Sequence, residues 1–134
     1  MSRILFFAAL LFTFIVPNSA FARPEGVYYV EGTNPGNKGR YSGTVAVERN
    51  GDTYTVAWDI DGAQYIGTGL GAANVKGNFT MGPANEGDIA LAVSYISGES
   101  FGQAFYIHQE DDSWKGIWAY GGAKKIGSET WTPQ

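Results

Sequence analysis

The stretch "VERNGDTYTVAWDIDGAQYIG", Val47 to Gly67, decides the fold. Tyr54, Val56 and Trp58 alternate with smaller or polar residues, the period of a half-buried strand. Asn50-Gly51 and Asp61-Gly62 bracket that strand, and each suits the type I′ turn, which needs positive φ at both central residues. Centred on Asn50-Gly51, the first hairpin pairs Val47 with Tyr54, Val45 with Val56 and Gly43 with Trp58. The second pairs Trp58 with Tyr65, Val56 with Gly67 and Tyr54 with Gly69. Both turns place Trp58 on the same face, and a slip of one residue would reverse it. Large side chains lie beside glycines, as close packing on a curved sheet requires. The opposite face, with Ser42, Thr44, Glu48, Thr53, Thr55 and Asp59, is predicted to meet water.

The same frame recurs later. "WDIDGAQYIG", Trp58 to Gly67, aligns with "WAYGGAKKIG", Trp118 to Gly127, at a spacing of 60 residues. Asp52/Asp112, Trp58/Trp118, Gly62/Gly122, Ala63/Ala123, Ile66/Ile126 and Gly67/Gly127 are identical, and Tyr41/Phe101, Val47/Ile107 and Tyr54/Trp114 are conservative pairs. This reads as an internal duplication, with half-repeats of about 26–71 and 88–132. Carrying the first register 60 residues on gives the rows Gln103-Trp118-Lys125, Phe105-Gly116-Gly127 and Ile107-Trp114-Glu129. The second copy thus brings Gln103, Lys125 and Glu129 to a face that is apolar in the first. Unpaired polar groups on an inward face cost on the order of 1–3 kcal/mol each, and charges more.

Strand signals extend along the chain at 26–31, 40–49, 52–60, 63–71, 88–96, 101–109, 112–120 and 124–132, and no stretch shows a helical stripe. The Gly- and Asn-rich segment 72–87 connects the halves, with room for a short extra strand around Phe79. The predicted architecture is all-β: an antiparallel meander of about eight strands, closed or nearly so like the avidin and lipocalin barrels. Closure would remove the sheet edges that invite aggregation.

The first 22 residues read as a secretory signal peptide: Arg3, an apolar run from Ile4 to Val16, then Ala20-Phe21-Ala22 before the predicted cleavage. That run is shorter than the roughly 20 residues a spanning helix needs. Cleavage leaves one domain, 23–134, with no membrane span, and the loss of Arg3 changes the net charge from −4 to −5. An acidic balance argues against nucleic acid as a partner. Export is expected to place the chain in a periplasm or the outside medium, where, with no Cys, it must be held by packing alone.

Catalytic and metal signatures are weak. Asp59-x-Asp61-Gly62 opens like a calcium loop, but no closing Glu follows, and it reads as a hairpin turn. Glu110-Asp111-Asp112 reads as a solvated turn. His108 is the only histidine, and alternation points it, with Tyr106, away from the Trp face. No nucleophile motif accompanies it. With no Cys and one His, no metal site or cofactor is expected.

The motifs Gly32-x-Asn34-Pro35, Tyr41-x-Gly43, Trp58, Gly67-x-Gly69, Gly116-x-Trp118, Gly127-x-Glu129 and Thr132-Pro133 span nearly the whole mature chain. In these the chain resembles a group of small exported β-rich proteins of Gram-negative bacteria, alphaproteobacteria especially. Some of that group carry a fibronectin-binding label. The resemblance implies an exported β domain and supplies no catalytic residues.

The expected function is a non-enzymatic binding protein that holds a small, partly apolar ligand against an interior face of Trp58, Tyr65, Trp114 and Trp118, oriented by Gln103, Lys125 and Glu129. In the plainer alternative, the indoles only fill the barrel and Lys125 and Glu129 lie at its rims. A different class remains open: a protein-interaction module, such as an enzyme inhibitor or adhesion factor, acting on a periplasmic or extracellular protein through loops 33–40, 72–87 and 97–100. An enzyme using Glu129 with Lys125 is a third.

Overall fold

The computed structural model describes residues 23–134; the predicted signal peptide, 1–22, lies outside the described residues. Nine strands follow one another: β1 Gly26–Thr33, β2 Arg40–Asn50, β3 Thr53–Ile60, β4 Ala63–Val75, β5 Asn78–Gly82, β6 Asp88–Ser97, β7 Ser100–His108, β8 Trp114–Tyr120 and β9 Gly127–Pro133. Eight form an antiparallel ring, β1-β2-β3-β4-β6-β7-β8-β9, which closes where β9 pairs with β1. This is the closed eight-stranded barrel expected from the alternation. The ninth strand, β5, falls on the residues around Phe79. A register shift between Ala72 and Ala73 lets β4 run on past β3 and pair with β5.

The turn at Asp61-Gly62 has positive φ at both residues, and the pairs Tyr54–Gly69, Val56–Gly67 and Trp58–Tyr65 are those its chemistry predicts. The preceding hairpin differs by two residues. Asn50 pairs with Thr53, so the central residues are Gly51 and Asp52, and only Gly51 has positive φ, the type II′ requirement. Val45 therefore faces Trp58 and Val47 faces Val56. A shift of two preserves which face each side chain occupies.

The later strands depart from the copied register. Between β7 and β8 the chain takes a longer loop, 109–113, closed by Gln109 N–H to Ser113 O (2.8 Å) and by the Asp111 carboxylate accepting from Ser113 N–H (3.0 Å). The odd residue slips β7 by one against β8, so Ala104 faces Trp118, Tyr106 faces Gly116 and His108 faces Trp114. Gln103, Phe105 and Ile107 consequently point out, while Tyr106 and His108, predicted to face away from the indoles, point in. Loop 121–126 displaces the start of β9, so Glu129 pairs with Gly116 rather than Trp114, and Lys125 belongs to no strand.

The barrel is filled at one end and open at the other. Trp114, Trp131, Tyr28, Tyr54 and Leu91 pack the closed end. Segment 83–87 and the start of the chain cap it through Ala84 N–H to Asp52 O, Arg23 N–H to Glu86 O, and Tyr28 Oη to Pro24 O (2.8 Å). Asp88 is buried there and accepts from Tyr54 Oη (2.6 Å) and Asn85 N–H (2.9 Å). The opposite rim is formed by loops 34–39, 61–62, 98–99 and 121–126.

Candidate functional site

A cavity of about 470 Å³ occupies the open end. Its walls come from the strand ends at that rim: Tyr41 of β2, Trp58 and Ile60 of β3, Tyr65 of β4, Tyr95 of β6, Ala104 and Tyr106 of β7, Trp118 and Tyr120 of β8, and Glu129 of β9. Its size suits a small organic molecule.

Glycines explain how so many rings fit one small barrel. A Cβ on Gly127 would lie 2.6 Å from Trp118 Nε1, and one on Gly32 would collide with the Tyr41 ring. Each ring lies over bare backbone of the neighbouring strand, so the wall gains aromatic surface without adding thickness. The rings then meet each other edge to face: Tyr41 with Trp118 (6.1 Å, 73°), Trp58 with Tyr95 (5.9 Å, 66°) and Tyr65 with Tyr95 (6.2 Å, 82°). Such contacts are the favoured arrangement of ring quadrupoles.

At the base of the cavity is Glu129, 7% exposed. Its Oε1 accepts from Trp131 Nε1 (2.6 Å), Trp58 Nε1 (2.8 Å) and Tyr106 Oη (2.9 Å), and its Oε2 accepts from Tyr41 Oη (2.5 Å). An indole N–H only donates, so this cluster suits the ionised carboxylate. The charge is held by neutral donors alone: among the described residues the sole acid–base contact within ion-pair distance is His108 Nε2 to Asp112 Oδ1 at 3.3 Å, on the closed side. Burial and then the Glu129 charge raise the Tyr41 and Tyr106 phenols well above the ordinary tyrosine range. The same two causes push Tyr95 up to about 12. The Tyr41 and Tyr106 phenols are thereby kept as donors to Glu129 above the ordinary tyrosine range.

The predicted site residues divide. Trp58, Tyr65, Trp118 and Glu129 meet at the cavity. Trp114 is wholly buried at the closed end, edge-on to His108 at 5.1 Å, and belongs to the core. Gln103 lies on the outer wall, turned there by the one-residue slip of β7. Lys125 also lies outside: its stem packs over Gly36, in a groove between loops 34–39 and 121–126. Of the three polar groups expected on the inner face, only Glu129 is there. Tyr41, Tyr95 and Tyr106 are additions. Tyr41 shares parity with Val45 and Val47, and Tyr95 with Leu91 and Val93, so alternation carried the signal for both. Nothing local carried it for Tyr106, because the 109–113 loop sets its face.

The acidic turns have ordinary structural roles. Asp61 occupies a positive-φ turn position, and Asp111 bonds Ser113 within its own loop. No group of three His, Asp or Glu among the described residues is placed to hold a metal ion. Trp118 Nε1 is buried without a hydrogen-bond partner, and buried His108 Nε2 has only its contact with Asp112, which lacks hydrogen-bond geometry. No protein family and no curated protein sequence matches the chain.

Proposed function

We propose that this is a non-enzymatic binding protein, exported to the periplasm or the surrounding medium, which holds a small, partly apolar molecule in the mouth of its barrel. One observation carries the reading: a cavity of about 470 Å³ walled by seven aromatic side chains stands over a buried carboxylate. A barrel that served only as a scaffold would gain stability by filling that end as it fills the other. Binding accounts for the asymmetry, since broad apolar walls supply affinity and a few fixed polar atoms supply orientation. Glu129, held by four donors, is suited to fixed electrostatics rather than proton transfer.

The test is a screen of chromatographic fractions of a small-molecule cell extract, read by Trp emission and by thermal unfolding. An active fraction at 100 times its dissociation constant adds about 2.7 kcal/mol of stability. Both responses are expected to vanish in Trp118→Ala. Absence of any active fraction would contradict the reading.

A protein-interaction module is the second reading. It is favoured by Phe79 and Met81, which are 58% and 82% exposed on the β5 excursion within the predicted interaction loop 72–87. On that reading, Phe79→Ser with Met81→Ser abolishes capture of a partner protein while leaving small-molecule responses intact.

A further inference from the structure

We infer that the ligand of this cavity carries an alkylated ammonium group. The inference rests on the reading of the barrel mouth as a small-molecule pocket and adds the chemical class of its occupant.

The first ground is charge. Two acids, Glu129 at the base and Asp61 at the rim, line the cavity, and no Lys, Arg or His does. A carboxylate held by neutral donors satisfies its hydrogen bonds but leaves its charge uncompensated in a region of low dielectric. An anion entering this cavity would meet repulsion with no cationic group to bind it. A cation would restore neutrality.

The second ground is the walls. Where Tyr41, Trp58, Tyr65, Tyr95 and Trp118 meet one another their planes cross at 66–82°, the arrangement of a box rather than a stack. Aromatic boxes attract cations through the negative faces of their rings, and they suit alkylated ammonium because its charge is spread over carbon-bound hydrogens that need no hydrogen bonds.

Other cations fit less well. A hard metal ion needs six or more oxygen ligands, and the only carboxylate at the base already accepts from four donors. A guanidinium binds a carboxylate through both oxygens as a fork, yet Oε1 of Glu129 is saturated by three donors and only Oε2, with one, has spare capacity.

Choline, its uncharged carbon isostere 3,3-dimethylbutan-1-ol and the anion 3,3-dimethylbutanoate have nearly the same shape and separate charge from bulk. Titrated into the wild-type protein with Trp emission and calorimetry as readouts, choline is expected to bind at least tenfold more tightly than the alcohol, with no binding of the anion. Tyr95→Leu, at the mouth, should weaken choline several-fold and the alcohol little. Glu129→Gln should erase the preference, but the wild-type comparison decides the matter even if that variant fails to fold. Equal or tighter binding of the alcohol or the anion overturns the ammonium assignment and leaves the pocket reading standing. Silence from all three probes alongside an active extract fraction overturns the assignment alone; silence from probes and extracts together overturns both.

Discussion

Tyr106 reaches across a whole strand to Glu129. The two residues lie on β7 and β9, with Gly116 of β8 between them in one cross-strand row, and Tyr106 Oη donates to Glu129 Oε1 at 2.9 Å over the bare glycine. The base of the cavity depends on this row. A Cβ on Gly116 would run into the Tyr106 ring and lie 2.7 Å from Phe105 O. Gly116→Ala is therefore expected to destabilise the barrel by about 1–3 kcal/mol, the usual effect of overpacking. A fall in the urea midpoint at unchanged slope measures it; an unchanged midpoint would mean that Tyr106 has another place to go.

Glu129 and Lys125 should behave oppositely under substitution. Glu129→Leu leaves four donors without their acceptor and is expected to cost about 3–5 kcal/mol. Lys125→Ala removes an exposed cation outside the barrel and should stay within about 0.5 kcal/mol. Denaturant unfolding of both variants checks the pair. A large loss in Lys125→Ala would return that residue to the interior, where the copied register had placed it.

The indoles should separate likewise. Trp114 has no exposed surface, so Trp114→Ala is expected to cost about 3–5 kcal/mol. Trp118 is half-buried on the cavity wall, and Trp118→Ala should cost less than half as much while removing ligand responses. Unfolding curves together with emission titrations distinguish a core indole from a site indole.

How far the sequence reaches is visible in these same residues. Alternation from Tyr54 to Trp58 and the Asp61-Gly62 turn fix one hairpin in register, and with it the inner face on which Trp58 and Tyr65 meet. Where a loop has two residues of defined turn chemistry, geometry is local and legible. The 109–113 loop is longer, and its closure depends on Asp111 and Ser113 bonding within the loop, so the parity of β7 follows from no periodicity. That one odd residue exchanges Gln103 for Ala104 and brings in Tyr106. Lys125 lies outside for a related reason: the 121–126 loop reproduces residues of the earlier turn but not its length. Glu129 keeps its inward face because it is displaced by two residues, from Trp114 to Gly116, and a shift of two leaves the face unchanged.

Alkaline pH should unfold the protein through its tyrosines. Tyr28, Tyr41, Tyr54, Tyr95 and Tyr106 are all raised, chiefly by burial, and Tyr54 further by its bond to Asp88. In the unfolded chain they ionise near the ordinary value of about 10. Below that pH both states are protonated and the stabilisation is fully present. Above it the unfolded state loses protons first, so stability falls as pH rises through 10 towards the folded values, by up to about 1.4 kcal/mol per pH unit for each of the well-buried Tyr54 and Tyr106. Unfolding temperature from pH 8 to 12, with tyrosinate absorbance followed in parallel, should show unfolding and ionisation arriving together. Early ionisation of most tyrosines in a folded protein would contradict the buried cluster.

The most direct measurement is the indole region of a ¹H–¹⁵N correlation spectrum of the labelled protein, where the four tryptophans give four N–H signals. On adding the active small-molecule fraction, the signals of Trp58 and Trp118 are expected to move while that of Trp114, at the filled end, stays in place. Binding that moves Trp114 alone, or that shifts none of the four, would locate the ligand elsewhere and contradict a site in the mouth of the barrel.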